Sequence, residues 1–253
     1  MTDEIDKNAH PLMAHLLDLR KRLLISVVAL LGGFIICYCF SEDIYAFLVR
    51  PLAEASETSQ HRLIYTGLAE AFITYLKLSL WGGLMLAFPI IASQIWLFVA
   101  PGLYESERKV FLPFLIATPV LFILGAALAY EFVFPLAWKF FLSFESLGST
   151  ATLPIHMEAR VSEYLSLSMS LVFAFGMAFE LPILLMILAR IGVISAAKLA
   201  ASRHFAIVII FIAAAILTPP DVISQIALAL PMMILYEISI LGARWIEKKR
   251  NNP

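Results

Sequence analysis

The sequence predicts an all-α, polytopic membrane protein: six transmembrane helices in one cupped bundle, forming a single membrane domain over residues 1–253. Three observations carry that expectation. Apolar residues make up 61% of the chain and charged residues only 15%, against roughly 25% charged in a soluble domain. The apolar residues gather into six runs separated by polar segments. The period-two alternation of an outer-membrane barrel strand is missing, so the backbone has to satisfy its own hydrogen bonds within helices.

The runs fall at about 23–40, 72–99, 110–142, 164–191, 205–217 and 222–243. A span needs roughly 20 residues at 1.5 Å each. The second, third and fourth runs are long enough to tilt or to emerge from the lipid as helix. The fifth gives roughly 20 Å of helix, short of a hydrocarbon core of about 30 Å. Either other helices cover it or the bilayer thins around it. Pro89, Pro113, Pro119, Pro135, Pro182 and Pro231 lie inside runs. Each removes one backbone donor and bends its helix, which is the reason to expect a cupped bundle.

Orientation follows from Lys and Arg. Thirteen of the eighteen basic residues lie in the N-terminal segment, the 101–109 loop, the 190–203 loop and the C-terminal tail; the exceptions are Arg50, Arg62, Lys77, Lys139 and Arg160. Both termini are therefore expected on the cytoplasmic side. The opposite face carries loops at about 41–71 and 143–163 and the tight turn Thr218–Asp221. The stretch "DIYAFLVRPL" is amphipathic and is expected to lie against the membrane surface. The first charged segment is acidic and the first run ends without a small-residue cleavage site, so that span is expected to stay. Cys37 and Cys39, two apart, read as small apolar residues rather than a disulfide framework or metal clip.

Enzyme signatures are missing: there is no HExxH, GxSxG or phosphate-binding loop. The five histidines, at 10, 15, 61, 156 and 204, lie at span ends or in loops and suggest no metal site, and no cofactor is expected. Without a phosphate-binding loop, any work the chain performs draws on a partner or on the membrane gradient.

The charges within or beside the runs carry the functional signal. Glu180 lies deep in the fourth run and Glu237 near one end of the sixth. An ionisable group at bilayer depth costs at least about 2.5 kcal/mol, so it faces protein or water. Glu180 reads either as a structural acid bonded across helices or as a polar point in a groove contacting a partner or a transported chain. Glu237, like Lys77 and Glu131, can reach the interface by snorkelling. Gln225 reads either as a cap of the sixth helix or as a bond to a polar side chain on another span. Asp18 in "HLLDLRKRLL" and Glu107 in "GLYESERK" stand among basic residues on the cytoplasmic face. One reading is local ion pairing, Asp18 with Arg22 at i, i+4 and Glu107 with a neighbour, worth roughly 0–1 kcal/mol each. The other is a docking site for a ligand presenting two adjacent arginines, whose planar guanidinium groups match carboxylates.

Several stretches in order then resemble one family. They are "HLLDLRKRLL" at 15–24, "VRPL" at 49–52, "FPIIASQIWLFVAPGLYESERK" at 88–109, "FVFPLAWKFF" at 132–141, "YLSLSMSLVFAFGMAFELP" at 164–182 and "LTPPDVISQIALALPM" at 217–232. The chain resembles the TatC family, the multispanning receptor subunit of the twin-arginine protein translocase, over about residues 11–245. The resemblance implies a protein of the bacterial cytoplasmic membrane that binds twin-arginine signal peptides of folded proteins. It also implies assembly in multiple copies with single-span partners of the TatA and TatB type, and export driven by the proton-motive force. By position, the acid and arginine of the family's first motif fall on Asp18 and Arg20, and the acid of "LYxxER" on Glu107. Phe98 and Pro51 match positions whose integrity matters for export. Glu180 matches an acid facing the concave side, and Thr218 to Asp221 with Gln225 match the turn and helix start where partner helices dock. The usual Glu of the first motif is Asp18 here, one methylene shorter with the charge kept. Glu105 has no counterpart in the family motif and is a flank that adds to the field. The rival readings are a proton-coupled small-solute transporter using Glu180, which has to act alone in liposomes, and a membrane scaffold indifferent to a twin-arginine peptide.

Overall fold

The computed structural model describes residues 3–55, 62–99, 105–146, 155–218 and 222–251, without the side chains of 3–12, 14, 99, 105–112, 217 and 249–251. Nearly all of it is helix: α1 (Asp3–Cys39), α2 (Ser41–Ala55), α3 (Glu70–Val99), α4 (Glu105–Leu128), a π turn (Ala129–Val133), α5 (Phe134–Leu142), α6 (Val161–Ala178), α7 (Leu181–Arg190), α8 (Ala196–Ala201), α9 (Arg203–Leu217) and α10 (Val222–Asn251). Extended pairing among the described residues is limited to two isolated bridges, Ile64 with Arg160 and Ser146 with Ile155. Five helical stretches are long and apolar enough to cross a membrane: His15–Cys39, Glu70–Phe98, Pro113–Leu142, Val161–Arg190 and Val222–Lys248; the apolar helix Arg203–Ile216 is shorter.

Proline explains two interruptions within these stretches. Pro135 cannot donate to the carbonyl four residues earlier. The chain passes through the π turn just ahead of it, with Phe134 N–H reaching back to Ala129 O. Pro182 has the same effect on Ala178 O, and residues 179–180 form a turn between α6 and α7.

The chain divides into two compact units, residues 1–41 with 76–119, and residues 42–75 with 120–253. In the first, α1 and α3 cross where Gly33 meets Gly83. A Cβ on Gly33 falls 2.6 Å from Gly83 O, and one on Gly83 falls 2.5 Å from Phe34 N. Only a residue without a side chain lets the two backbones approach that closely. Trp96 Nε1 donates to Thr118 Oγ1 at 3.1 Å, tying α3 to α4.

The second unit has a large apolar centre, with Phe134, Leu165, Leu171, Phe175, Ile183, Leu228 and Ile240 almost wholly buried. Gly125 brings α4 against the Phe175 carbonyl of α6, where a Cβ comes within 2.4 Å. Helix α10 packs along α7 and α9. Near its end, Tyr236 donates to Leu199 O at 2.9 Å and Glu247 accepts from Ala196 N–H at 2.7 Å, fixing α8. Helix α9 keeps Phe205, Val208, Ile209, Ile212 and Ile216 exposed. Neighbours within its own unit therefore leave one side of this short helix open. Helix α2 buries Leu48, Pro51 and Leu52 against protein, so its apolar face is not left wholly for the membrane surface.

The glycine crossing gives a paired test. Gly83→Ala forces backbone apart and is expected to lower stability by about 1–3 kcal/mol, seen as a lower midpoint in thermal unfolding of the detergent-solubilised chain. Gly32→Ala, one residue from the crossing with open space around its Cβ position, is expected to be neutral or slightly stabilising.

Candidate functional site

Helix α1 continues well before its apolar stretch, and this polar end carries the first motif. His15, Asp18 and Arg22 recur at three- and four-residue spacing and share one helix face. Arg22 Nε donates to Asp18 Oδ2 at 2.7 Å, with the Asp18 side chain 32% exposed. The local ion pair expected for Asp18 is therefore present. One bond leaves acceptor capacity on the carboxylate, which offers about four lone-pair sites. Arg20, two residues on, points elsewhere and is exposed. One turn before Asp18, the His15 ring stacks on Phe98 with centroids 4.4 Å apart and planes at 26°. Phe98 is in the last turn of α3, so this contact pins the polar end of α1 to the end of α3.

Residues 100–104 and the side chain of Glu107 lie outside the described residues, as do the side chains of Glu105, Arg108 and Lys109. The backbone puts Glu105 and Glu107 in the first turn of α4. A helix start carries the positive end of the helix dipole, which favours an anionic group near it.

The second unit holds the remaining candidates. Glu180 sits at the turn ahead of Pro182, capping α7 with φ −76° and ψ −13°, and is half-buried. Thr218 is buried at the end of α9 and returns its hydroxyl to Ala214 O at 2.9 Å. Asp221 lies outside the described residues. Gln225 Nε2 donates to Phe211 O at 3.3 Å. This amide binds a backbone carbonyl of α9, tying α10 to α9; a helical carbonyl keeps a second lone pair for it. Glu237 takes a two-pronged bond from Arg203, with Nε to Oε1 at 2.6 Å and Nη2 to Oε2 at 2.9 Å. Lys77 and Glu131 are exposed, Lys77 near the start of its span and Glu131 within the π turn. Cys37 and Cys39 are both free thiols.

Pro51 lies buried in α2, and the Phe47 carbonyl four residues before it accepts from Tyr130 Oη at 2.8 Å. Burial, then Tyr75, pushes the Tyr45 hydroxyl above its ordinary pKa. The hydrogen bond to Glu54 raises that of Arg50.

Reading the sequence missed Glu70, whose carboxylate accepts from Thr66 N–H at 2.8 Å, Gly67 N–H at 3.1 Å and Ser162 Oγ at 2.5 Å. Ile64 binds Ala159 and Val161 through backbone bonds beside it. Thr and Gly just ahead of a Glu that opens an apolar run are a helix-start signal, and that signal was present.

A family model described as "Sec-independent protein translocase protein (TatC)" matches residues 14–231. A curated protein of that name from Magnetococcus marinus is 52% identical over 250 residues, covering 99% of this chain and 89% of that protein. The Rickettsia prowazekii protein is 47% identical, with 93% of each chain covered. The Escherichia coli K12 protein is 37% identical, covering 97% of this chain and 93% of that one. A crystal structure described as that of the twin arginine translocase receptor TatC matches with a TM-score of 0.76 at 38% identity, covering 92% of this chain and 99% of that one.

Removing the ring at position 98 is expected to loosen the polar end of α1. Phe98→Ala gives about two- to tenfold faster amide exchange over residues 15–22, the loss of one ring contact. Phe98→Tyr keeps the stack and leaves exchange unchanged.

Proposed function

The chain belongs to the TatC family of Sec-independent protein translocase proteins, and from that premise we propose that it is the signal-peptide receptor of a twin-arginine translocase. It is a multi-pass membrane protein of a protein-translocation system. On the proposed reading it lies in the bacterial cytoplasmic membrane with both termini in the cytoplasm, as the basic-residue count supports. It binds the paired arginines of signal peptides on folded cargo and assembles in multiple copies with TatA- and TatB-type single-span proteins. The proton-motive force drives export.

One observation carries the binding site: the His15–Phe98 stack fixes the end of α1 that bears Asp18, a half-exposed carboxylate one turn away. Glu107, in the first turn of α4, is the second acid of the pair. An arginine doublet exchanges the internal Arg22 partner for one guanidinium and gives the other to Glu107; Arg20 sets the basic surroundings. Partner helices dock where Glu180, Thr218, Asp221 and Gln225 lie, and Pro51 supports the fold of the outer loop. The open side of α9, at about 22 Å of helix, suits either a partner helix or a thinned bilayer.

Calorimetry of the purified chain with a twin-arginine peptide tests this. Asp18→Asn with Glu107→Gln is expected to weaken binding by roughly tenfold or more, most of it from the charge-assisted bond lost at Glu107. Equal affinity for peptides carrying arginines or alanines at the doublet overturns the reading. Arg22→Gln removes a competitor and a repelling charge, and is expected to tighten binding a few-fold; weaker binding instead identifies Arg22 as part of the site's support.

A further inference from the structure

Besides the carbonyls of its last turn, which every helix leaves open, helix α2 has one interior carbonyl that its own backbone cannot serve. In an α-helix each C=O accepts from the N–H four residues later, and Pro51 has no N–H. The carbonyl concerned is Phe47 O, and Tyr130 Oη donates to it at 2.8 Å. The next carbonyl, Leu48 O, takes Tyr164 Oη at 2.7 Å in a buried setting. Two hydroxyls from different elements, the π turn and α6, thus seize adjacent carbonyls of α2.

The surroundings are built for this grip. The Tyr130 ring lies flat on Phe47, centroids 4.2 Å apart and planes at 4°. It continues into Phe134 at 5.8 Å, then Trp138 at 5.5 Å, and Trp138 meets Tyr164 at 4.8 Å. Tyr130 stands within the π turn, whose wider winding precedes Pro135. One proline thus opens the acceptor, and the other follows the turn that carries the donor.

We propose that Pro51 acts by withholding its N–H, and that Tyr130 and Tyr164 are positioning residues that dock α2 through the Phe47 and Leu48 carbonyls. Helix α2 has fifteen residues, a length at which an isolated helix is marginal in water. Its place is set by these two hydroxyls, not by aromatic packing only. The alternative, packing alone, predicts that removing a hydroxyl while keeping the ring changes nothing.

The test follows amide hydrogen exchange across residues 43–55 of the full chain in nanodiscs, beside export by cells carrying the same variants. Tyr130→Phe keeps the ring and is expected to speed exchange about three- to tenfold, the net loss of one hydrogen bond at an exposed carbonyl, and to lower export. Pro51→Ala supplies an N–H to Phe47 O. In that background Tyr130→Phe is expected to add less than about twofold, because the carbonyl is already served. Unchanged exchange in Tyr130→Phe, or defects that add in the double variant, overturns the proposal. Should Tyr130→Phe fail to accumulate, recovery of the double variant to the level of Pro51→Ala supports it, and failure to recover overturns it. The exchange readout is independent of signal-peptide recognition, so its failure leaves the receptor reading standing.

Discussion

Every backbone donor and acceptor in lipid has to be satisfied by the protein itself, and proline is the residue that makes this hard. A missing N–H strands a carbonyl four residues earlier, with no water to serve it. This chain carries prolines inside α2, α3, α4 and α10 and at the starts of α5 and α7. Its departures from straight helix fall beside them. The π turn precedes Pro135, the turn at 179–180 precedes Pro182, and a tyrosine hydroxyl reaches the carbonyl that Pro51 strands. In the second unit proline marks where two helical stretches are interrupted and where a hydroxyl is drawn into backbone work.

The same economy governs the charges. Two carboxylates beside the spans have their partners on other elements. Arg203 grips Glu237 with two bonds, and Glu70 gathers donors from the loop before α3 and from Ser162 at the start of α6. Pairs farther out, such as Arg50–Glu54, Arg62–Glu158 and Arg160–Glu163, are largely exposed. Exposed pairs of this kind contribute little stability. Glu70 differs because its partners are backbone amides and a hydroxyl fixed by two loops, so losing it leaves several donors unserved at once.

The helical membrane class was legible because apolar run length and charge scarcity survive any packing arrangement. The i, i+4 partner of Asp18 was legible for the same reason: helix geometry alone sets it. Long-range partners were not. Arg203 finds Glu237 across thirty-four positions, and the stack of His15 on Phe98 joins two helices; neither follows from spacing within one helix. The bond of Gln225 to Phe211 O was not legible either, because a main-chain carbonyl is an acceptor that every residue possesses and no sequence pattern marks. Tyr130 and Tyr164 lay unmarked among nineteen phenylalanines and six other tyrosines. Only the place of Pro51 says which hydroxyl matters, and that requires knowing which helix lies opposite.

On the proposed reading, the Asp18–Arg22 pair bears on how the receptor discriminates. Exchanging one guanidinium for another on the same carboxylate is nearly neutral in hydrogen-bond energy, so a single incoming arginine gains little at Asp18. The second arginine has no such debt if it meets Glu107, whose carboxylate is favoured as an anion by its place in the first turn of α4. On the proposed reading, recognition of a doublet is therefore unequal: one arginine replaces an existing bond and fixes register, while the other supplies most of the affinity. Aspartate in place of glutamate suits that division. Its shorter side chain holds Arg22 at 2.7 Å along the same helix, and the longer reach toward the ligand falls to the glutamate of the hairpin.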